Sequence, residues 1–204
     1  MVSIPATDRA DVAVVRTTVG VCIFLSIWAG AVIYGAASGF FARLYPPLIG
    51  PLVACGILLP SLIYFFTPAL RAYFVRIGLY PLSVLHVWRI PAALLFFWYG
   101  AQGLLPTSFW ILAGVGDLIA GCLALPLLRG QSDRRTYARI HVFGFFDFVI
   151  AVGTGLALTL IGDPLMEPIR HLPMALVPLF GVGVSGASHL IAFHLLWKSR
   201  PETS

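Results

Sequence analysis

The hydrophobic positions of this chain fall into six long runs, at residues 14–41, 48–75, 80–105, 108–128, 137–161 and 172–197, separated by short polar stretches. A helix of about twenty mostly apolar residues covers a hydrocarbon core of about 30 Å, and each run reaches that length. The pattern predicts an all-α polytopic membrane protein, a single transmembrane domain over residues 1–204 arranged as a bundle of six helices. Pro51, Pro60 and Pro68 interrupt the second run; each removes a backbone donor, so a kink or a re-entrant piece is expected there.

Polar residues inside four of the runs recur at spacings of three and four, which puts them on one helix face. The third run carries Ser83, His86, Arg89 and Ala93, and the sixth carries Gly181, Ser185, His189 and Ala192. In the fourth, Trp110, Ala113, Gly114, Asp117, Gly121 and Ala124 form a stripe of mostly small residues. The fifth has Ala138, His141, Gly144, Asp147, Ala151 and Thr154. Small residues in lipid mark surfaces where helices approach closely, so the four stripes are expected to converge.

Depth follows from the rise of 1.5 Å per residue, counted from the end of each run nearest the basic loops. Arg89, His189, Asp147 and Asp117 come out at about 13, 12, 15 and 16 Å, close to one level. His86, His141 and His194 fall at about 9, 6 and 5 Å, a shallower tier. An ionisable group at such depth costs several kcal/mol unless partnered, which makes Arg89, Asp117, Asp147 and His189 the candidate ligand- or ion-binding residues. The planar fork of Arg89 has donors enough to bridge both aspartates. One guanidinium against two carboxylates leaves one negative charge to be balanced by a proton or a bound cation.

Composition sharpens the membrane assignment. The chain is 59% hydrophobic and only 10% charged, with a mean hydropathy of +0.94, where soluble domains carry about 25% charged residues. Its start, Met1 to Asp11, carries both signs of charge and lacks the pattern of a cleaved signal peptide. The net charge of +5 reads first as an orientation signal, and nucleic acid is not an expected partner. Arg9, Arg16, Arg71, Arg76, Arg129, Arg134, Arg135, Arg139, Lys198 and Arg200 fall on one side, and only Arg43 and Arg170 on the other. The positive-inside rule then puts both termini in the cytoplasm, as an even number of crossings requires. Cys22, Cys55 and Cys122 lie in apolar runs with no metal or haem-attachment spacing and read as small core residues. His171, beside Asp163, Glu167 and Arg170, reads as solvated.

Four chemistries are compatible with these residues. Binding or conduction of a proton, ion or small polar ligand at Arg89, Asp117, Asp147 and His189 is the leading expectation. Whether the chain is an enzyme stays open. Gly114-x-Gly116-Asp117 and Phe146-Asp147 resemble the two aspartate motifs of intramembrane aspartyl proteases of the presenilin and prepilin-peptidase type, in reversed order relative to presenilin. The run Pro173-Met174-Ala175-Leu176 is similar to the Pro-Ala-Leu element of the presenilin group, interrupted by Met174. This resemblance implies Asp117 and Asp147 as a catalytic pair.

Ser83-x-x-His86, Asp117 and the His189/His194 pair resemble the membrane zinc hydrolases of the alkaline ceramidase and adiponectin-receptor type. In that family two histidines four apart serve one metal, whereas a spacing of five turns them about 140° apart. His86, His141 and His194 are the candidate ligands of a metal or a b-type haem, although no motif indicates either cofactor. Gly-x-Gly-Asp, then Gly-x-x-Asp, then a proline-rich last run with a late histidine resembles a set of uncharacterised bacterial inner-membrane proteins. That likeness implies a bacterial cytoplasmic membrane and no activity. The fourth candidate is an accessory or scaffold subunit, a homo-oligomer or the companion of another membrane protein in the bilayer, docked through its small-residue faces.

Overall fold

The computed structural model describes residues 6–198, with side chains from residue 11 onward; Arg9 and Arg200, counted in the basic face, lie outside the described side chains. Its helices are α1 (Ala6–Ala37), α2 (Phe40–Arg43), α3 (Ile49–Phe66), α4 (Pro68–Ile77), α5 (Leu79–Val84), α6 (Arg89–Ala101), α7 (Thr107–Ala124), α8 (Arg134–Leu160) and α9 (Val182–Lys198). Six helical stretches are long and apolar enough to cross a membrane: Asp11–Ala37, Pro46–Phe66, Leu79–Ala101, Thr107–Arg129, Arg134–Leu160 and Val177–Lys198. The chain is an all-helical, multi-pass membrane protein in contact with the lipid bilayer. Large apolar side chains such as Ile27, Phe66, Phe146 and Leu160 stand on its outer surface, where a soluble domain would present polar groups.

The run at 48–75 is not one kinked span. Its helix passes through Pro60 and stops at Thr67, whose backbone is extended as a residue before proline prefers. Pro68 then opens α4, a separate ten-residue helix that ends at Gly78, whose φ of 72° suits glycine. The sixth span begins at Val177 rather than 172, because Leu172 to Ala175 form a turn before it.

Two spans change helical pitch beside the polar stripes. Pro91 has no N–H for the carbonyl of Val87, and the chain between α5 and α6 tightens into a 3-10 turn over Leu85–Trp88. At the start of the last span, Val177–Gly181 widens into a π-type turn that contains Pro178. Both irregular turns lie where the helices converge.

Close approach depends on missing side chains. A Cβ on Gly183 would stand 2.9 Å from the carbonyl oxygen of Gly56 and 2.4 Å from the ring of Trp28, so α3, α9 and α1 meet there only because position 183 is bare. Trp28 also donates its indole N–H to the carbonyl of Leu179 at 3.1 Å, which ties α1 to the last span.

Cys22, Cys55 and Cys122 are all on the exposed, lipid-facing surface and not in the core. In lipid an apolar run does not tell which side of its helix is buried, since both sides are apolar. His171 is exposed, as expected, and the loop between α8 and α9 is tied together around it. His171 Nε2 lies 2.9 Å from Glu167, Arg170 pairs with the same carboxylate, and Arg170 also donates to the carbonyls of Ala42 and Leu44 at 2.9 and 3.0 Å.

Candidate functional site

The polar stripes of the last four spans face inward and their ionisable residues meet in two adjoining clusters. In the first, Arg89 is 3% exposed and is the first residue of α6, immediately after the 3-10 turn. Its Nε donates to Asp117 Oδ1 on α7 at 2.6 Å, its Nη2 donates to Asp147 Oδ2 on α8, and its Nη1 donates to the carbonyl of Gly144 at 3.2 Å. Each nitrogen of the guanidinium therefore makes a hydrogen bond, and three helices are joined through one side chain.

The glycines of this region make that geometry possible. A Cβ on Gly116 would stand 1.5 Å from Asp147 Oδ1, and one on Gly114 would stand 2.7 Å from the ring of Phe97. Gly-x-Gly-Asp is thus a packing device: Gly116 clears room for the carboxylate of the next span, and Asp117 meets Arg89. The two carboxylates are linked through the guanidinium between them.

The second cluster is a trio of histidines. His86, His141 and His189 are 1%, 0% and 0% exposed, and each brings a ring nitrogen within 4.8 Å of those of the other two. His141 Nδ1 lies 3.0 Å from His189 Nδ1, and the rings of His86 and His189 stack at 4.3 Å. Serines stand behind two of them, Ser83 Oγ at 2.9 Å from His141 Nε2 and Ser188 Oγ at 3.1 Å from His86 Nε2. The contact between His141 and His189 leaves no slot for a porphyrin plane between these rings.

Gly144 is where the clusters touch. A Cβ there would stand 2.8 Å from His189 Cε1 and 3.1 Å from Arg89 Nη1. His189, grouped by depth with the arginine and the aspartates, packs instead against His86 and His141. His194, grouped with those two, lies apart on another face of α9, its Nδ1 2.5 Å from the hydroxyl of Tyr64. The five-residue offset between His189 and His194 accounts for the separation, since it turns the second ring about 140° away.

A cavity of about 190 Å³ lies against the first cluster. Arg89, Asp117 and Ser185 are among the few polar groups of a wall built mainly from residues such as Val53, Phe96, Phe109 and Phe148. Trp88 belongs to the same wall and donates its indole N–H to Ser185 Oγ at 3.0 Å. A second cavity of about 180 Å³, lined by Asp163, Glu167 and Arg170, lies toward the end of the bundle that bears Arg43 and Arg170. Both cavities are bounded by Ile49, Thr159, Met166 and Ile169, so these four residues form the partition between them.

Ser188, Trp88 and the carbonyl of Gly144 are site groups that the sequence reading does not single out. Ser188 sits beside His189 in the chain and on the same buried turn, which is the signal that could have found it. A backbone carbonyl leaves no such mark.

No curated protein and no solved structure matches the chain. A family model described as a domain of unknown function (DUF8737) matches residues 46–197, which span every crossing but the first together with both buried clusters, and the chain belongs to that family.

Proposed function

We propose that the protein binds a small monocation, the proton being the smallest, at the floor of the central cavity, with Asp117 in contact with it and Arg89 and Asp147 holding Asp117 in place. The observation that carries this reading is the charge count at the first cluster. One guanidinium is shared by two carboxylates, 8% and 6% exposed, and the balance of +1 and −2 leaves one negative charge in a membrane interior. Asp117 and Arg89 line an otherwise mostly apolar cavity, so a ligand with an apolar body and one protonated nitrogen fits as well as a proton does.

The arginine-rich loops give this site a direction. Asp11 of α1 pairs with Arg76 of α4, and Arg134 donates to the carbonyl of Leu196 at 2.7 Å, so both ends of the chain share the basic side of the bundle. By the positive-inside rule that side is cytoplasmic, in the cytoplasmic membrane of a bacterium. The two cavities then lie on the outer side of Arg89 and the histidines on the inner side, in a file of polar groups suited to passing a cation inward.

The test is reconstitution of the full chain in liposomes loaded with a pH-sensitive dye, with a thermal-shift screen of the detergent-solubilised protein against small primary and quaternary amines. The wild type is expected to collapse an imposed pH gradient or to be stabilised by an amine, and Asp117→Asn to lose that response. A double variant, Asp117→Asn with Asp147→Asn, that folds normally and still restores every phenotype of a deletion strain would sink the proposal.

A further inference from the structure

The hydrogen bonds around the histidine trio fix where its protons are. Ser83 Oγ donates its single proton to the carbonyl of Leu79 at 2.9 Å, and a carbonyl only accepts. The contact from Ser83 to His141 must therefore run the other way, with His141 Nε2–H donating to Ser83. Ser188 likewise donates to the carbonyl of Ser185 at 2.8 Å, so His86 Nε2–H donates to Ser188.

Neutral His86 and His141 thus both present Nδ1 as a bare lone pair, directed away from their serines. The lone pair of His141 accepts from His189 Nδ1–H at 3.0 Å, which leaves His189 Nε2 bare as well. His86 Nδ1 and His189 Nε2 are the buried side-chain atoms without a hydrogen-bond partner among the described residues. Each unpartnered lone pair in a dry interior carries the full cost of its lost hydration, and no proton donor among the described residues offsets it.

We infer that His86, His141 and His189 form a binding site for a late first-row transition-metal ion of the zinc or copper class, with Nδ1 of His86 and of His141 as two ligands and a ring nitrogen of His189 as the third. Imidazole suits these metals, and three histidines with one open position is a recurrent zinc arrangement. Two nitrogens bonded to one ion at about 2.0–2.1 Å in a tetrahedral arrangement stand about 3.3 Å apart. The observed 3.0 Å between His141 and His189 is close to that separation, and the three ligand nitrogens all lie within 4.8 Å of one another, so the ring of His86 is the one that must close in. Ser83 and Ser188 supply what metal-bound histidines need behind them, an acceptor for the other N–H that fixes tautomer and ring orientation. The net negative charge of the arginine–aspartate cluster across Gly144 favours a cation here. The metal would use ligand atoms other than the carboxylate of Asp117, so loss of the histidines and loss of Asp117 are read by separate variants.

The experiment uses the full chain in mild detergent, stripped with a chelator, then loaded separately with Zn2+, with Co2+ as a spectroscopic probe, and with copper under reducing and oxidising conditions. Elemental analysis is expected to find one ion per chain for zinc or for copper, and Co2+ to show the visible absorption bands of a nitrogen-ligated four-coordinate site. His86→Asn, His141→Asn and His189→Asn each abolish the stoichiometric ion, while His171→Asn and His194→Asn retain it. Ser83→Ala with Ser188→Ala keeps the fold, read by size exclusion and tryptophan fluorescence, and weakens affinity about 10–100-fold. The assignment is overturned if none of these ions binds stoichiometrically, if one ion per chain survives loss of His86 and His141 together, or if the folded serine variant binds as tightly as the wild type.

Discussion

Replacing Gly116 by alanine tests the central packing claim with one methyl group. A Cβ at this position would lie 1.5 Å from Asp147 Oδ1, whereas ordinary contact begins near 3.4 Å, so the carboxylate must retreat by about 2 Å. That displacement exceeds what its hydrogen bond from Arg89 tolerates. Separating one partner of a buried pair costs about 3–5 kcal/mol. Because Arg89 keeps Asp117, the lower half of that range applies, to which overpacking adds about 1–3 kcal/mol.

Alanine returns about 0.5–1 kcal/mol of helix propensity, so the net expected loss is about 3–6.5 kcal/mol. Gly153, on the same span as Asp147, faces open space, with nothing within 4 Å of where a methyl group would sit. It serves as the control, with Gly153→Ala neutral or slightly stabilising. Reversible unfolding in mixed micelles titrated with dodecyl sulfate, followed by tryptophan fluorescence, measures both. In an Asp147→Ala background the cost of Gly116→Ala should fall to near zero, because the atom it strikes is gone. If Gly116→Ala unfolds within about 1 kcal/mol of Gly153→Ala, the interlock between the two spans is refuted.

Charge count orders two further variants. Arg89→Gln leaves Asp117 and Asp147 buried without a cation and should lose most monodisperse protein, whereas Asp147→Asn leaves one arginine with one aspartate and should be tolerated far better; size-exclusion profiles after identical expression decide, and the opposite order contradicts the charge balance. At the start of α8, the side chain of Thr136 and then its backbone N–H, 2.8 Å from Asp133 Oδ1, hold the carboxyl of Asp133 below the ordinary carboxylate range. A carboxyl depressed in the folded state contributes its stability above the unfolded pKa and loses it as pH falls through the folded one. The amides of Thr136 and Tyr137, which donate to Asp133, should therefore lose exchange protection only under strongly acid conditions, and Asp133→Ala should remove that pH dependence; equal profiles would show that the cap contributes nothing.

Which features can be read from sequence depends on how lipid changes the usual signals. The spans stand out because apolar length is enough to identify them, and the inward faces because Arg89, Asp117, Asp147 and the histidines are too polar to face hydrocarbon. Apolar residues carry no comparable sign, and so a reading from hydropathy puts Cys22, Cys55 and Cys122 on the wrong side of their helices. Depth counting sets His189 with the aspartates, yet the two clusters adjoin at Gly144, too close for an error of about one turn to separate them. The break at Thr67 needs the proline, the residue before it and Gly78 to be weighed together, since hydropathy alone runs on through α4. The role of Gly116 is out of reach, because the atom that occupies its missing side chain belongs to a residue on another helix.

Ribosomes deliver this chain to the membrane in sequence order, and the order of its charges matters. The span Leu79–Ala101, which holds Arg89, has a mean hydropathy of 1.4, the lowest of the six. A solitary arginine at the centre of a helix costs about 2.5–3.5 kcal/mol on insertion scales. Its compensating carboxylates arrive 28 and 58 residues later, in the next two spans. The unit that partitions favourably into the bilayer during synthesis is therefore the hairpin of α6 and α7, with the guanidinium already covered by Asp117, and α8 completes a neutralisation begun before it was made.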